Sequence, residues 1–114
     1  MSRDKALLEL KEIFQDVINY DDEDPLASID PENYVSPEGD TCLHLAAIRG
    51  DKRAVVLLLE LGLPINKKGD MGNTALHYAV AHKHPEIAEL LIEHGASKDV
   101  VNEFGKRPLG SEPV

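Results

Sequence analysis

The side chains able to do chemistry in this chain are few. Five histidines stand at 44, 77, 82, 84 and 94, one cysteine at 42, and a run of four acids precedes Pro25 in "DDEDP". His82 and His84 are only two residues apart at a helix end and do not share a helical face. A metal needs three or four convergent ligands, so loop histidines on the surface are the expected reading. Cys42 opens a predicted helix, where a thiol pKa can fall, yet no His or Asn is spaced as its partner; a small, semi-buried free thiol is expected. "DDEDP" lacks the spaced acids, glycine and terminal Glu of a calcium loop. It reads as a flexible acidic linker, or as a segment that docks electrostatically on a basic partner. Phosphate-cradling glycine loops, H-E-x-x-H, G-x-S-x-G and C-x-x-C are absent from the sequence. The expectation is a non-enzyme that calls for no metal and no cofactor.

His44 and His77 differ from the other three because their surroundings are written twice. "GDTCLHLAAIRGDKRAVVLLLELG" (39–62) returns thirty-three residues on as "GNTALHYAVAHKHPEIAELLIEHG" (72–95). Gly39, Thr41, Leu43, His44 and Ala46 align with Gly72, Thr74, Leu76, His77 and Ala79. A third copy starts on schedule in "NEFGKRPLG", with Gly105 and Leu109 in register. A residue that repeats serves the repeated unit, and no nucleophile accompanies either histidine at a fixed offset.

The elements that position these residues follow from the same pattern. Leu43, Ala46 and Ala47 share a face of a short helix, Gly50 ends it, and Asp51 caps the next helix. In that helix Val55, Leu58 and Leu59 share a face. "AVVLLLELG" is apolar nearly all round and must be covered on more than one side. In the second copy Pro85 opens the second helix, Glu86, Glu89 and Glu93 mark its wet face, and Gly95 stops it. Ahead of the repeats, Ser2 can cap an amphipathic helix from about Arg3 to Tyr20, with apolar Ala6, Leu7, Leu10, Ile13, Phe14, Val17 and Ile18. Pro25, Pro31 and Pro37 bar a long helix in the following segment.

"TCLHLAA" and "TALHYAV" resemble the ankyrin-repeat signature T-P-L-H-x-A, with Cys42 and Ala75 in place of the proline, and the period of 33 is that family's. The third start has its proline, Pro108, but Arg107 and Gly110 replace the Thr and His. The resemblance covers about residues 34–110. It implies an all-α solenoid of stacked helix–turn–helix units joined by β-turn hairpin loops, in one domain. An N-terminal cap and acidic linker (1–35) precede repeats at 36–68 and 69–101 and a partial third at 102–114. It also implies that Thr41, His44, Thr74 and His77 tie one repeat to the next, and that Gly39, Gly72 and Gly105 make the hairpin turns.

Totals narrow the partners. Of the net charge of -9, residues 1–35 hold 10 acidic and 3 basic side chains, and residues 36–114 hold 11 and 9. Such a chain repels nucleic acid and anionic membrane and attracts basic partners; the same charge also serves as a solvated surface that keeps the chain soluble. A lone cysteine makes no internal disulfide and fits a reducing compartment such as the cytoplasm. "ALLELKEIF" is broken by Glu9, Lys11 and Glu12, unlike an export signal, and no apolar run is long enough to span a bilayer.

Proteins that resemble this family bind other proteins through hairpin tips and the concave face of the first helices. Those positions here are Pro37, Glu38, Asp40, Lys68, Asp70, Met71, Asn73, Glu103, Phe104 and Lys106, with Ile48, Arg49, Ala81 and His82 on the adjoining helices. Starting at Met1 with little beyond the repeats, the chain reads as a stand-alone binder. Alternatives are an immunity-type inhibitor of a basic toxin, by analogy of size and charge, and a structural protein that self-associates through its unfinished third repeat. The sequence leaves the oligomeric state open. Met71 and Phe104 hold the same repeat position and suit interface anchors; the competing role for Phe104 is to cap the core. As an anchor, Phe104→Ala weakens partner binding and leaves the melting temperature nearly unchanged, whereas a large drop in melting temperature identifies a cap.

Overall fold

The computed structural model describes residues 3–16, 31 and 33–109. Five α-helices follow one another: α1 (Arg3–Ile13), α2 (Cys42–Arg49), α3 (Lys52–Glu60), α4 (Ala75–Ala81) and α5 (Pro85–Glu93). The fold is all-α, and β-pairing among the described residues is limited to one antiparallel bridge between Val35 and Thr41. α2 packs on α3 and α4 packs on α5 as hairpins, and the pairs stack, α2 on α4 and α3 on α5. Small side chains make that stacking close. Ala46, Ala47, Ala75 and Ala79 are buried between the inner helices, with Leu43 and Leu76 beside them. The outer row buries Val55, Leu57, Leu58, Ile87 and Leu91.

α1 takes a place in the outer row, packed on α3, and buries Ala6, Leu10 and Phe14. It is shorter than the helix expected to reach Tyr20: it ends at Ile13 and continues as a turn through Asp16. Arg49 is the physical reason. Its guanidinium bonds the Ile13 carbonyl at 3.5 Å and the Asp16 carboxylate at 2.8 Å, so the last turn finds its partners in α2 rather than in further helix. Arg53 fastens the middle of α1 through both carboxylate oxygens of Glu9, at 2.8 and 3.0 Å. The expected Ser2 cap, Val17, Ile18 and the acidic run lie outside the described residues.

The hairpin loops are built from one bond written three times. Ser36 N–H donates to the Asp40 carbonyl, Gly69 to Asn73 and Asn102 to Lys106, at 2.8, 2.8 and 3.0 Å. The third loop is thus formed although its helices are not among the described elements. The turns between helices also repeat, with one exchange. Gly50 takes the left-handed conformation (φ 71°) that ends α2, and Lys83, its equivalent, takes the same conformation (φ 63°). A side chain at position 50 would meet the His84 ring at 2.7 Å, whereas Lys83 is exposed. Packing therefore requires glycine only at the first site. Asp51 caps α3 by accepting from the Ala54 N–H at 3.0 Å.

His44 and His77 join helix to loop. His44 Nδ1 accepts from the Thr41 N–H at 2.8 Å, so the ring proton sits on Nε2 and donates to the Lys67 carbonyl at 2.8 Å. His77 does the same with the Thr74 N–H and the Lys106 carbonyl, both at 2.9 Å. Both rings are buried. Burial holds the His44 pKa below its ordinary value of 6.5, because the charged ring would be shut away from water. Once unfolded, the ring titrates normally, so the unfolded state binds more protons. The stability His44 contributes is complete above pH 6.5 and is lost as pH falls below it toward the depressed folded value. Urea unfolding at about pH 7.5 and about pH 5 tests this. His44→Gln lowers stability at the higher pH by about 1–3 kcal/mol and shrinks the loss on acidification; an unchanged acid loss refutes the assignment.

Candidate protein-binding surface

Three hairpins lie side by side along one edge of the molecule, and most of the expected contact residues stand on them. Glu38, Lys68, Met71, Glu103, Phe104 and Lys106 are exposed, as are Pro37 and, on the adjoining helix surface, Ala81 and His82. Met71 is 48% and Phe104 66% exposed. Phe104 therefore does not tuck beneath the stack. Its loop is fixed from behind: Asn102 Oδ1 accepts from the Phe104 N–H at 2.9 Å and the Lys106 N–H at 3.0 Å. The Glu103 N–H donates to the Met71 carbonyl at 2.9 Å, tying the third hairpin to the second.

Of the residues expected at the contact surface, Asp40 and Asn73 have their side chains engaged between hairpins instead, while Asp70 is engaged through its backbone and Arg49 through an exposed pair with Asp16. Asp40 is buried; its Oδ1 accepts from the Asp70 N–H at 3.0 Å and the Tyr78 hydroxyl at 2.8 Å. Asn73, the equivalent of Asp40, is half-buried and accepts from the Asn102 amide at 2.9 Å. This slot thus carries the acceptor that joins each hairpin to the next, and its side chain points along the stack rather than outward. Asp70 is half-buried, with its N–H given to Asp40 and its carbonyl accepting from the Asn73 amide at 3.0 Å. Arg49 spends its guanidinium on α1, pairing with Asp16 and lying 5.4 Å from the centre of the Phe14 ring. Ile48 is half-buried.

Other residues enter that the sequence reading passed over. Tyr78 joins the two repeats through Asp40, and its ring meets His44 edge-on at 5.7 Å. Burial and the bond to Asp40 raise its pKa. Repeat 1 has Leu45 at the equivalent place, so the repetition carried no sign of this bond. His84, expected as an exposed loop residue, is half-buried and bonds the Ile48 carbonyl at 3.0 Å across the repeat boundary. Val35 and Val101, two periods apart on the hairpin edges, are exposed at 53% and 42%; their spacing was the available signal.

Reactive chemistry is muted throughout. Cys42 is fully buried, and burial pushes its thiol pKa up to about 12, so almost no thiolate forms near neutral pH. Among the described residues no three His, Cys, Asp or Glu side chains converge as metal ligands do. No described helix is long and apolar enough to cross a membrane. What the hairpin edge offers is shape: fixed loops carrying exposed apolar side chains, Val35, Met71, Val101 and Phe104, among charged neighbours.

Known proteins share this plan. Residues 5–102 match the family model for ankyrin repeats in three copies, a span that takes in most of α1. The chain is 37% identical over 83 residues to an ankyrin and IPT/TIG repeat-containing protein of Schizosaccharomyces pombe, covering 70% of this chain and 7% of that one. It is 36% identical over 74 residues to the Homo sapiens protein phosphatase 1 regulatory subunit 27, covering 65% and 48%. A Caenorhabditis elegans homolog of transient receptor potential cation channel subfamily A member 1 shares 40% over 76 residues, covering 66% and 6%. The matched region spans less than half the length of each of these relatives. Stacked helical hairpins, Thr–His caps that reach the following loop, and this match together show that the chain belongs to the ankyrin-repeat family, whose repeats are protein–protein interaction modules.

Proposed function

We propose that the chain is a single, non-enzymatic protein-binding domain that engages its partner through the hairpin edge, with α1 as the cap of the repeats at 36–68 and 69–101 and of the partial one at 102–114. Met71 and Phe104 are its apolar anchors; Glu38, Lys68, Glu103, Lys106 and His82 form the charged and polar rim. The observation that carries this reading is the backbone of Met71. It lies in the left-handed region, at φ 58° and ψ 23°, while its side chain stands exposed. A non-glycine residue there costs about 1 kcal/mol. The hairpin turn itself requires that conformation, closed by the Asn73 N–H on the Asp70 carbonyl at 3.1 Å, and glycine would serve it at less cost; the half-exposed thioether that stands there instead suits a contact outside the chain.

Further support comes from a relative that is by name a regulatory subunit of a phosphatase, a role carried out on another protein. The acidic excess of residues 1–35 favours a basic partner, whereas the hairpin rim itself sets Glu38 and Glu103 beside Lys68 and Lys106. The relatives lend nothing to a basic toxin as the target, and the inhibitor reading is not taken further. A reducing compartment such as the cytoplasm suits the single buried thiol.

Affinity capture from a lysate of the source organism tests the proposal, using the wild type and the Met71→Gly/Phe104→Ala double variant. Glycine relieves the left-handed strain, so the variant melts at or slightly above the wild-type temperature. Proteins held by the wild type and released by the variant support the hairpin edge as the binding surface. An identical set on both places binding elsewhere.

A further inference from the structure

The two ends of the stack differ. At the first end α1 covers α3. At the other, α4 and α5 present a shallow apolar depression of about 320 Å³, lined by Ala79, Val80, Ala88, Ile92 and Leu109 among others. Repeat equivalence shows what such a face does when covered. Thirty-three residues earlier the same positions are Ala46, Ala47, Val55, Leu59 and Leu76. There Ala46, Ala47, Val55 and Leu76 are buried, where the second helical pair stacks on the first. Leu109 stands where Leu76 stands, yet it is 53% exposed. It is the first apolar residue of an interface whose other half is absent among the described residues.

Charge indicates the occupant. The α4 flank of this face continues into a second depression lined by Val80, Leu109, Lys106 and Arg107. The α5 flank carries Glu89 at its rim, with Glu93 one turn further on. These charged groups are exposed. Lys83, also exposed at the margin of the first depression, stands at the α4–α5 turn, at one end of the face; of the two long edges one is basic and the other acidic, with an apolar centre between them. A surface of this kind complements itself. A two-fold axis lying in the plane of the face, parallel to the helices, lays α4 of each copy over α5 of the other. The basic edge of each copy then meets the acidic edge of its partner.

We propose that this face is the interface of a tail-to-tail homodimer, closed by Val80, Ile92 and Leu109 at its centre and by Arg107 against Glu89 of the second copy at its margins. Because the two-fold closes, association stops at two chains and leaves α1 undisturbed at the outer ends. The face shares Lys106 with the rim of the hairpin edge but not Met71 or Phe104, and Glu89, Arg107 and Leu109 lie outside that edge, so variants at these three test this association separately from the hairpin-edge reading. The face is one helical pair wide, near the small end of stable interfaces, so the dimer is expected to be a reversible one with a Kd of about 1–100 µM.

Sedimentation equilibrium of the 114-residue chain, from about 1 µM to about 1 mM, is the test. A monomer–dimer equilibrium in that range is expected. Glu89→Arg and Arg107→Glu each weaken it at least about tenfold by setting like charges against one another, and the two together restore it to within about threefold. Leu109→Asp, at an exposed position, removes dimerisation without lowering the melting temperature. A chain that stays monomeric throughout overturns the proposal. So does open-ended growth beyond dimers, which marks a head-to-tail contact. Single charge variants that dimerise like the wild type, or a double variant that fails to recover while melting normally, overturn it as well.

Discussion

The structure depends on a proton held at one imidazole nitrogen. With Nδ1 of His44 and His77 accepting from the backbone at the start of the same helix, the proton is confined to Nε2, and Nε2 points at the loop that follows. One ring thereby satisfies an orphan donor at a helix N-terminus and an orphan acceptor in a hairpin leg. The bond to the helix N–H is buried and the bond to the loop carbonyl partly so, so leaving either group unpaired would cost more than an ordinary surface bond returns. The second and third hairpins stay where the helices put them for this reason, and Lys68, Met71, Phe104 and Lys106 inherit their positions from these two rings.

Stacking needs a second condition, which is closeness. Four alanines between α2 and α4 let the inner helices approach, while the outer row carries the larger Val, Leu and Ile side chains. Unequal side chains on the two rows set the hairpin edge apart from the helical back. The same arithmetic governs the ends. α1 supplies Ala6, Leu10 and Phe14 to one end and is held there by Arg49 and Arg53. These pairs are exposed and each contributes little energy; they fix where α1 lies, while burial of Leu10 and Phe14 holds it there.

Along the hairpin edge, side chains divide by a simple rule. Those in the slot of Asp40 and Asn73 face the neighbouring hairpin and become part of the scaffold; those at the apex, Met71 and Phe104, face outward. Tyr78 and His84 strengthen the scaffold at single places, Tyr78 by reaching Asp40 and His84 by reaching the Ile48 carbonyl. Neither has a counterpart with the same chemistry one repeat away, which makes the two repeats unequal in detail although they share a plan.

How far the sequence could be read follows from which interactions repeat. A pattern written twice at a spacing of thirty-three announced stacked helical pairs, their caps at Gly50, Asp51 and Pro85, and a third hairpin around Gly105, because each of these is set by residues within a few positions of one another. The doubled Thr-x-x-His marked a local geometry, but its distant partners, the Lys67 and Lys106 carbonyls, came only with the fold. Asp40, Asn73 and Arg49 read as surface residues by type and position. Asp40 and Asn73 turned toward the neighbouring hairpin, and Arg49 toward α1, because hydrogen-bond partners 29 to 38 residues away lay within reach. The end of α1 was likewise settled by Arg49 in another helix. Sequence by itself determined the local turns, caps and apolar periodicity of this protein. Only the tertiary structure decided which polar side chains were consumed between repeats and which remained for a partner, since that depends on distances between segments that are far apart along the chain.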